Sequence, residues 1–148
     1  MSKISDLMDA VKSRITDNIA DLTGFPGVSN VSKMLYINPK NVHFPHIFIT
    51  PVGSESVPEG DNANDDWIRP ILVTIAIRDH EDRQDFTILD WREVLLKLFR
   101  TRKMKLAVPG NYRVQVQPGD QITIVPDQYQ YIVSSFTILP TTREDRGS

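Results

Sequence analysis

Read from its N-terminus, the chain opens on an apolar stripe. Ile4, Leu7, Met8, Val11, Ile15, Ile19 and Leu22 recur at helical spacing, while Asp9, Lys12, Ser13 and Asp17 take the opposite face. Ser2 or Ser5 can cap the start, Gly24 stands where a left-handed C-terminal residue belongs, and Pro26 blocks continuation. The pattern predicts a surface helix from about Ser5 to Leu22. Lys33 to Asn38 and His46 to Val52 then read as strands. Pro51 cannot donate to a ladder, so the second strand lies at an edge or ends there. From Gly53 to Asp66 hardly an apolar residue occurs, which predicts a long acidic loop.

Arg69 to Arg78 is the strongest strand signal. Ile71, Val73, Ile75 and Ile77 share one face; Leu72, Thr74 and Ala76 share the other, which is small but uncharged. That places the strand centrally, covered on both sides. A charged turn from Asp79 to Asp85 leads into a second helix, about Arg83 to Thr101. There Ile88, Leu89, Trp91, Val94, Leu95, Leu96, Leu98 and Phe99 cover well over half the circumference. A helix packed on one sheet needs an apolar arc of about 100° or somewhat more. The excess predicts a second covering surface, from another chain. Asp90, Glu93, Lys97 and Arg100 form the polar side, but Arg92 lies inside the apolar arc, where a charge must find a partner or a wet interface.

In the last third, Tyr112, Val114 and Val116 alternate with Arg113, Gln115 and Gln117. Pro118-Gly119 and Pro126-Asp127 punctuate two further strands, Gln121 to Val125 and Gln130 to Leu139, which together read as an antiparallel meander. The tail, about 141–148, is polar and expected to fray. Helix, two strands, long loop, strand, helix and three strands predict an α+β fold, with a mixed, mostly antiparallel sheet carrying two helices.

Length and composition fit this picture. A chain of 148 residues with 40% apolar and 24% charged residues is that of one ordinary globular domain. The absence of cysteine excludes disulfides, thiolate metal sites and a cysteine nucleophile. The first residues turn acidic at once and lack the apolar core of about 7–15 residues that a signal peptide needs. The longest apolar stretch, Ile71 to Ile77, is too short to span a bilayer. A soluble protein made inside the cell is expected.

The net charge of −2 argues against whole-domain attraction to nucleic acid, but the charges are unevenly placed. Glu55, Glu59, Asp61, Asp65 and Asp66 fall between Gly53 and Ile68 with no Lys or Arg among them. Lys97, Arg100, Arg102, Lys103 and Lys105 follow one another with no intervening acid. Two opposite patches suit head-to-tail contact between identical copies; solvated surface is the plainer reading.

Motifs for chemistry are lacking. Neither GxGxxG nor GxxxxGK[ST] occurs, and no helix pattern follows Gly24-Phe25-Pro26-Gly27. His43 and His46 flank Phe44-Pro45 at a strand start and read as polar residues of a connection, since a metal needs three or four converging ligands. His80 stands between Asp79 and Glu81-Asp82 on a charged turn, where successive side chains diverge. No GxSxG elbow is present, and Ser134-Ser135 read as hydrogen-bonding or small packing residues within a strand. Asp79, Asp82, Asp85 and Asp90 are favourable charge near a helix start; Arg100, Arg102, Lys103 and Lys105 are favourable near its end. Catalytic, cofactor-binding and metal-ligating residues are therefore read as none.

The element order and texture resemble a family. An amphipathic N-terminal helix, the strand Phe44-Pro45-His46-Ile47-Phe48-Ile49-Thr50-Pro51, a polar loop, the strand Val73-Thr74-Ile75-Ala76-Ile77, a Leu-rich helix bearing Arg and closing strands span nearly the whole chain. This is similar to the tail terminator (tail completion) proteins of long-tailed bacteriophages, of the lambda gene U type. The resemblance implies a hexameric ring that caps the tail-tube protein, faces a head-side connector, and lets DNA pass through its lumen at ejection. It implies a virion location in the tail or neck after assembly in the host cytoplasm. It supplies no residue motif. Charge and periodicity instead place a subunit contact at Trp91, Arg92, Leu95 and Phe99 with Arg100, Arg102, Lys103 and Lys105. They place a neighbour contact or lumen lining at Glu55, Glu59, Asp61, Asp65 and Asp66. A neck or connector protein, a small hydrolase or nuclease using His80, and a monomeric ligand-binding module are the competing readings.

Overall fold

A computed structural model describes residues 2–40, 42–61, 63–78, 86–125 and 131–146. The first helix, α1 (Lys3–Asp17), starts earlier than its stripe suggests because Ser2 is the cap, its Oγ accepting from Ser5 N at 3.2 Å. It ends earlier because the Asn18 amide takes the Arg14 carbonyl at 2.8 Å, and Ile19–Asp21 tighten into a single 3-10 turn. Leu7, Met8, Val11 and Ile15 are buried along its inner face.

Strand β1 is only Val31–Lys33, paired parallel with β2 (His46–Pro51). The strand expected over Lys33 to Asn38 is not there. The Met34 N–H still donates to the Ile49 carbonyl at 2.9 Å, but the chain then leaves the ladder, and Met34 and Ile37, with Val42 and Phe44, pack on Phe48, Ala76 and Tyr131 on the opposite face of the sheet. Burying those side chains outweighs prolonging a short edge strand. Leu35 and Tyr36 are thereby left exposed.

The predicted acidic loop is a hairpin, β3 (Ser56–Gly60) and β4 (Asn64–Ile68). An Asp at its tip builds the turn: one Asp61 oxygen accepts from Ala63 N at 2.8 Å and Asn64 N at 2.7 Å. Those two bonds, Ala63 first, pull the Asp61 carboxyl below the usual carboxylate range. Strand β5 (Ile71–Arg78) lies between β2 and the last strand, central as read.

That last strand, β8 (Tyr131–Asp145), organises the sheet. Its expected end at Leu139 and the frayed tail are both corrected, because the chain continues in the ladder to Asp145 with Thr141 and Thr142 buried. β5 pairs with it over 131–138 and β4 over 141–145 along one edge. Along the other edge lie β7 (Thr123–Val125), over 131–133, and β6 (Asn111–Pro118), over 136–142. The closing strands are thus not a meander: β6 and β7 lie end to end on one long partner. The result is an open, mixed, mostly antiparallel sheet of eight strands with two helices, an α+β fold.

Both helices belong to one core. α1 packs on β1 and β2, and α2 (Thr87–Phe99) packs on β5, β6 and β8. Ile47, Ile49, Ile71, Val73, Ile75, Phe136 and Ile138 face them from the sheet. The polar second half of β8 makes a testable claim. Ending the chain after Pro140 should unpair β4 and lower the thermal midpoint by roughly 10 °C, followed by circular dichroism. A tail outside the sheet would leave the midpoint unchanged.

Candidate assembly surfaces

Helix α2 is where an intermolecular contact was expected, and its apolar arc is closed by the chain itself. Leu95 and Phe99 are fully buried, and Trp91 and Arg92 are each 6% exposed. α1, the sheet and the segment Met104, Leu106 and Val108 share its core, with Ile19, Leu22 and Phe25 joining from the turn after α1. The Trp91 indole donates to the Thr23 carbonyl at 2.8 Å, and its ring meets Phe25 edge to face at 5.3 Å between centroids. Arg14 of α1 donates to the Leu98 carbonyl at 3.0 Å, a cation at the helix C-terminus. Trp91, Arg92, Leu95 and Phe99 are therefore not on the surface of the folded chain. The excess apolar girth is met by a second helix and a strap from the same chain.

Arg92 is a clasp. Its guanidinium donates to the carbonyls of Gly119 (3.1 Å), Asp120 (3.3 Å) and Ser135 (2.6 Å), and to Ser134 Oγ (3.0 Å). Burial pulls its pKa down, and the nearby Asp120 charge pushes back. Ser134 takes the hydrogen-bonding role read for it. His46 likewise serves the fold: buried, it contacts the His43 carbonyl through Nδ1 at 3.2 Å and Ser32 Oγ through Nε2 at 2.8 Å. Since the carbonyl only accepts, Nδ1 carries the proton and Nε2 accepts from Ser32. Burial lowers its pKa and keeps the ring neutral. His80, with Asp79 and Asp82, lies outside the described residues. Among the described residues, no group of three or more His, Asp or Glu converges as a metal would need.

The five acids of the hairpin are largely engaged within the chain. Arg69, stacked 4.7 Å over Trp67, pairs with Glu144 and lies 3.5 Å from Glu55. Arg143 pairs with Asp61 and lies 3.8 Å from Asp66; Arg146 holds Asp65 at 2.7 Å. Asp66, buried at 6% exposure, also accepts from the Tyr112 hydroxyl at 2.9 Å. That bond pushes the Tyr112 pKa up. Apart from Arg69 beside Glu55, none of these partners carried a sequence signal, because each is 46 to 82 residues away in the chain. Even so, this end of the sheet stays acidic: Glu55, Glu59, Asp61, Asp65, Asp66, Glu144 and Asp145 stand against Arg69, Arg143 and Arg146. Glu59 is exposed and pairs with no cation of the described residues, and it borders an open cleft lined also by Asn64, Asp66, Asn111, Tyr112 and Arg143.

The basic segment has the opposite character. Arg100, Arg102, Lys103 and Lys105 are all exposed, and none reaches a carboxylate of the described residues. The backbone beneath them is fixed. Met104, Leu106 and Val108 are buried alternately with exposed Lys103, Lys105 and Ala107. Leu106 N donates to Asn111 Oδ1 at 2.7 Å, and Asn111 Nδ2 donates to the Thr141 carbonyl at 3.0 Å, tying the strap to β8. Gly110 (φ 87°) ends it against the Arg143 carbonyl, a fit that leaves no room for a Cβ. Lys103 holds a left-handed φ of 61°, rare for a residue with a side chain.

No protein-family model and no curated protein matches the chain. Among solved structures it is similar to a chain of the "Virion of native gene transfer agent (GTA) particle". The match has a TM-score of 0.53 at 11% identity and covers 93% of this chain and 95% of that one. The fold is therefore shared over nearly the full length of both chains.

The clasp has a measurable weight. Arg92→Leu leaves three part-buried carbonyls and the buried Ser134 hydroxyl without their donor and should cost about 3 kcal/mol in denaturant unfolding. Arg92→Lys, which can reach only some of them, should fall between. A variant as stable as the parent would show that the four bonds do not hold the helix to the sheet.

Proposed function

We propose that this chain is a structural subunit of a phage-like virion: a ring-forming tail terminator that caps the tail tube and joins it to the head-side connector. It acts by binding copies of itself, the tail-tube protein and the connector, not by catalysis. DNA is its passing cargo, and it sits in the tail or neck after assembly in the host cytoplasm. What carries the reading is the likeness over nearly the full length to a virion chain, reached independently of the element order that suggests the terminator family. The surface adds support. Arg92, Ser134 and His46 are the buried polar groups nearest to chemistry, and each serves the fold. Among the charged side chains without an ion-pair partner in the described residues, Arg100, Arg102, Lys103 and Lys105 form one patch, and Glu59 borders an acidic one. A head–tail connector or neck protein is the nearest competing reading, since it too would be a ring subunit.

Light scattering at rising concentration, alone and with tail-tube protein, tests the proposal. A closed species several times the 16.9 kDa chain mass is expected in at least the second condition. A chain that stays monomeric in both would remove the ring reading. Electron microscopy with labelled subunits separates terminator from connector by position along the particle.

A further inference from the structure

Two surfaces of opposite charge each keep groups without an ion-pair partner among the described residues. The strip Arg100, Arg102, Lys103 and Lys105 presents four cations on a backbone anchored by Met104, Leu106 and Val108. The cleft beside Glu59 presents one free carboxylate and, behind it, the buried Asp66, whose hydrogen bond from Tyr112 satisfies only part of its accepting capacity. Arg143 is shared between Asp61 and Asp66 and sits at 3.8 Å from the latter, so the cleft keeps a net negative charge. A basic side chain entering it would meet Glu59 and Asp66 together.

We infer that this cleft receives the basic strip of a second copy of the chain. The inference rests on the ring-subunit reading and deepens it. Charge complementarity selects the occupant: the strip carries four cations with no carboxylate partner among the described residues, and the cleft, even with Arg143 at its wall, keeps Glu59 without a cation partner among them. In a ring the contact is heterologous: each copy offers its strip to one neighbour and its cleft to another. Such contacts generate a ring when the rotation closes. A nucleic acid would also attract the strip. Against it stand the chain's net charge of −2 and the absence of aromatic side chains interleaved with the four cations.

Charge exchange between the two surfaces tests this. Lys103→Glu with Lys105→Glu cancels the strip's charge, setting two acids beside Arg100 and Arg102, and Glu59→Lys reverses the free acid of the cleft. All three positions are exposed, so circular dichroism should match the parent. Each variant alone should assemble at least 10-fold more weakly than the parent in sedimentation velocity with tail-tube protein. A one-to-one mixture should recover assembly to within about 3-fold, because alternating copies restore every pair. Added salt should weaken the parent's assembly. If the parent assembles and the variants assemble equally well, this contact is wrong and the ring reading survives. If the parent never assembles, the ring reading fails and takes the contact with it. If Lys103→Glu with Lys105→Glu assembles normally but loses binding to a short DNA duplex, the strip faces nucleic acid and the inference is overturned.

Discussion

The structure hangs on the pairing of β8 along both of its edges. At about 3.3 Å per residue its 15 residues run about 50 Å, longer than either helix. Over that length β5 and β4 follow one another on one side, β7 and β6 on the other. Each buried backbone N–H and C=O must find a partner, and a strand flanked twice satisfies nearly all of them. This explains why Thr141-Thr142-Arg143-Glu144-Asp145, with no large apolar side chain, is nonetheless strand. Its neighbours supply ladder bonds that its own side chains would never justify. Position follows from the same pairing. β4 and the acidic hairpin exist where they do because β8 extends beneath them, and the basic strap is fastened to the same strand through Asn111.

Helix α2 is held to this sheet by directed bonds as much as by apolar burial. Arg92 spans from the helix to the turn after β6 and to β8, Trp91 to the turn after α1, and the α2 C-terminal carbonyl of Leu98 is taken by Arg14. A buried guanidinium is costly unless its donors are met, and here three carbonyl dipoles and a hydroxyl meet them without a carboxylate. The consequence reaches the outside of the molecule. With the inner part of α2's apolar girth buried within the chain and Leu89, Val94, Leu96 and Leu98 half-buried, the exposed residues of the helix and its continuation to Lys105 are polar, among them Asp90, Glu93, Lys97, Arg100, Arg102, Lys103 and Lys105.

How far the sequence could be read depended on whether a segment's own side chains decide its fate. α1, β5 and the core of α2 announce themselves because their apolar periods point at the core they enter. The hairpin did not, since β3 is exposed along its whole length and its pairing is imposed by β4, itself imposed by β8. Weak signals were present: Trp67-Ile68 and Val57 flank a tip, and Asp61 two and three residues before Ala63 and Asn64 is a turn-builder. The β-branched pair Thr141-Thr142 likewise favours a strand over a frayed tail. The girth of α2 was read correctly as demanding a second cover. Periodicity cannot tell whether that cover comes from α1 and the strap that follows α2 or from another molecule, because it reports need and not supply. The opposite charges of the hairpin and the strip were legible. The arginines that neutralise part of the hairpin were not, since ion pairs across 75 to 82 residues leave no local trace.

A subunit of this design would assemble in a particular way. Exposed ion pairs contribute about 0–1 kcal/mol each, so a contact made of a few such pairs is weak between free copies. Binding to a template changes the arithmetic: copies held side by side meet at an effective concentration of about millimolar or more, and each weak contact then becomes favourable. A chain that hides the apolar arc of α2 and shows charge would therefore remain dispersed until a multivalent end gathers it. If the chain is such a subunit, the Arg92 clasp closes the fold against premature association, and the strap cations, without a carboxylate partner among the described residues, leave a contact for local crowding to complete.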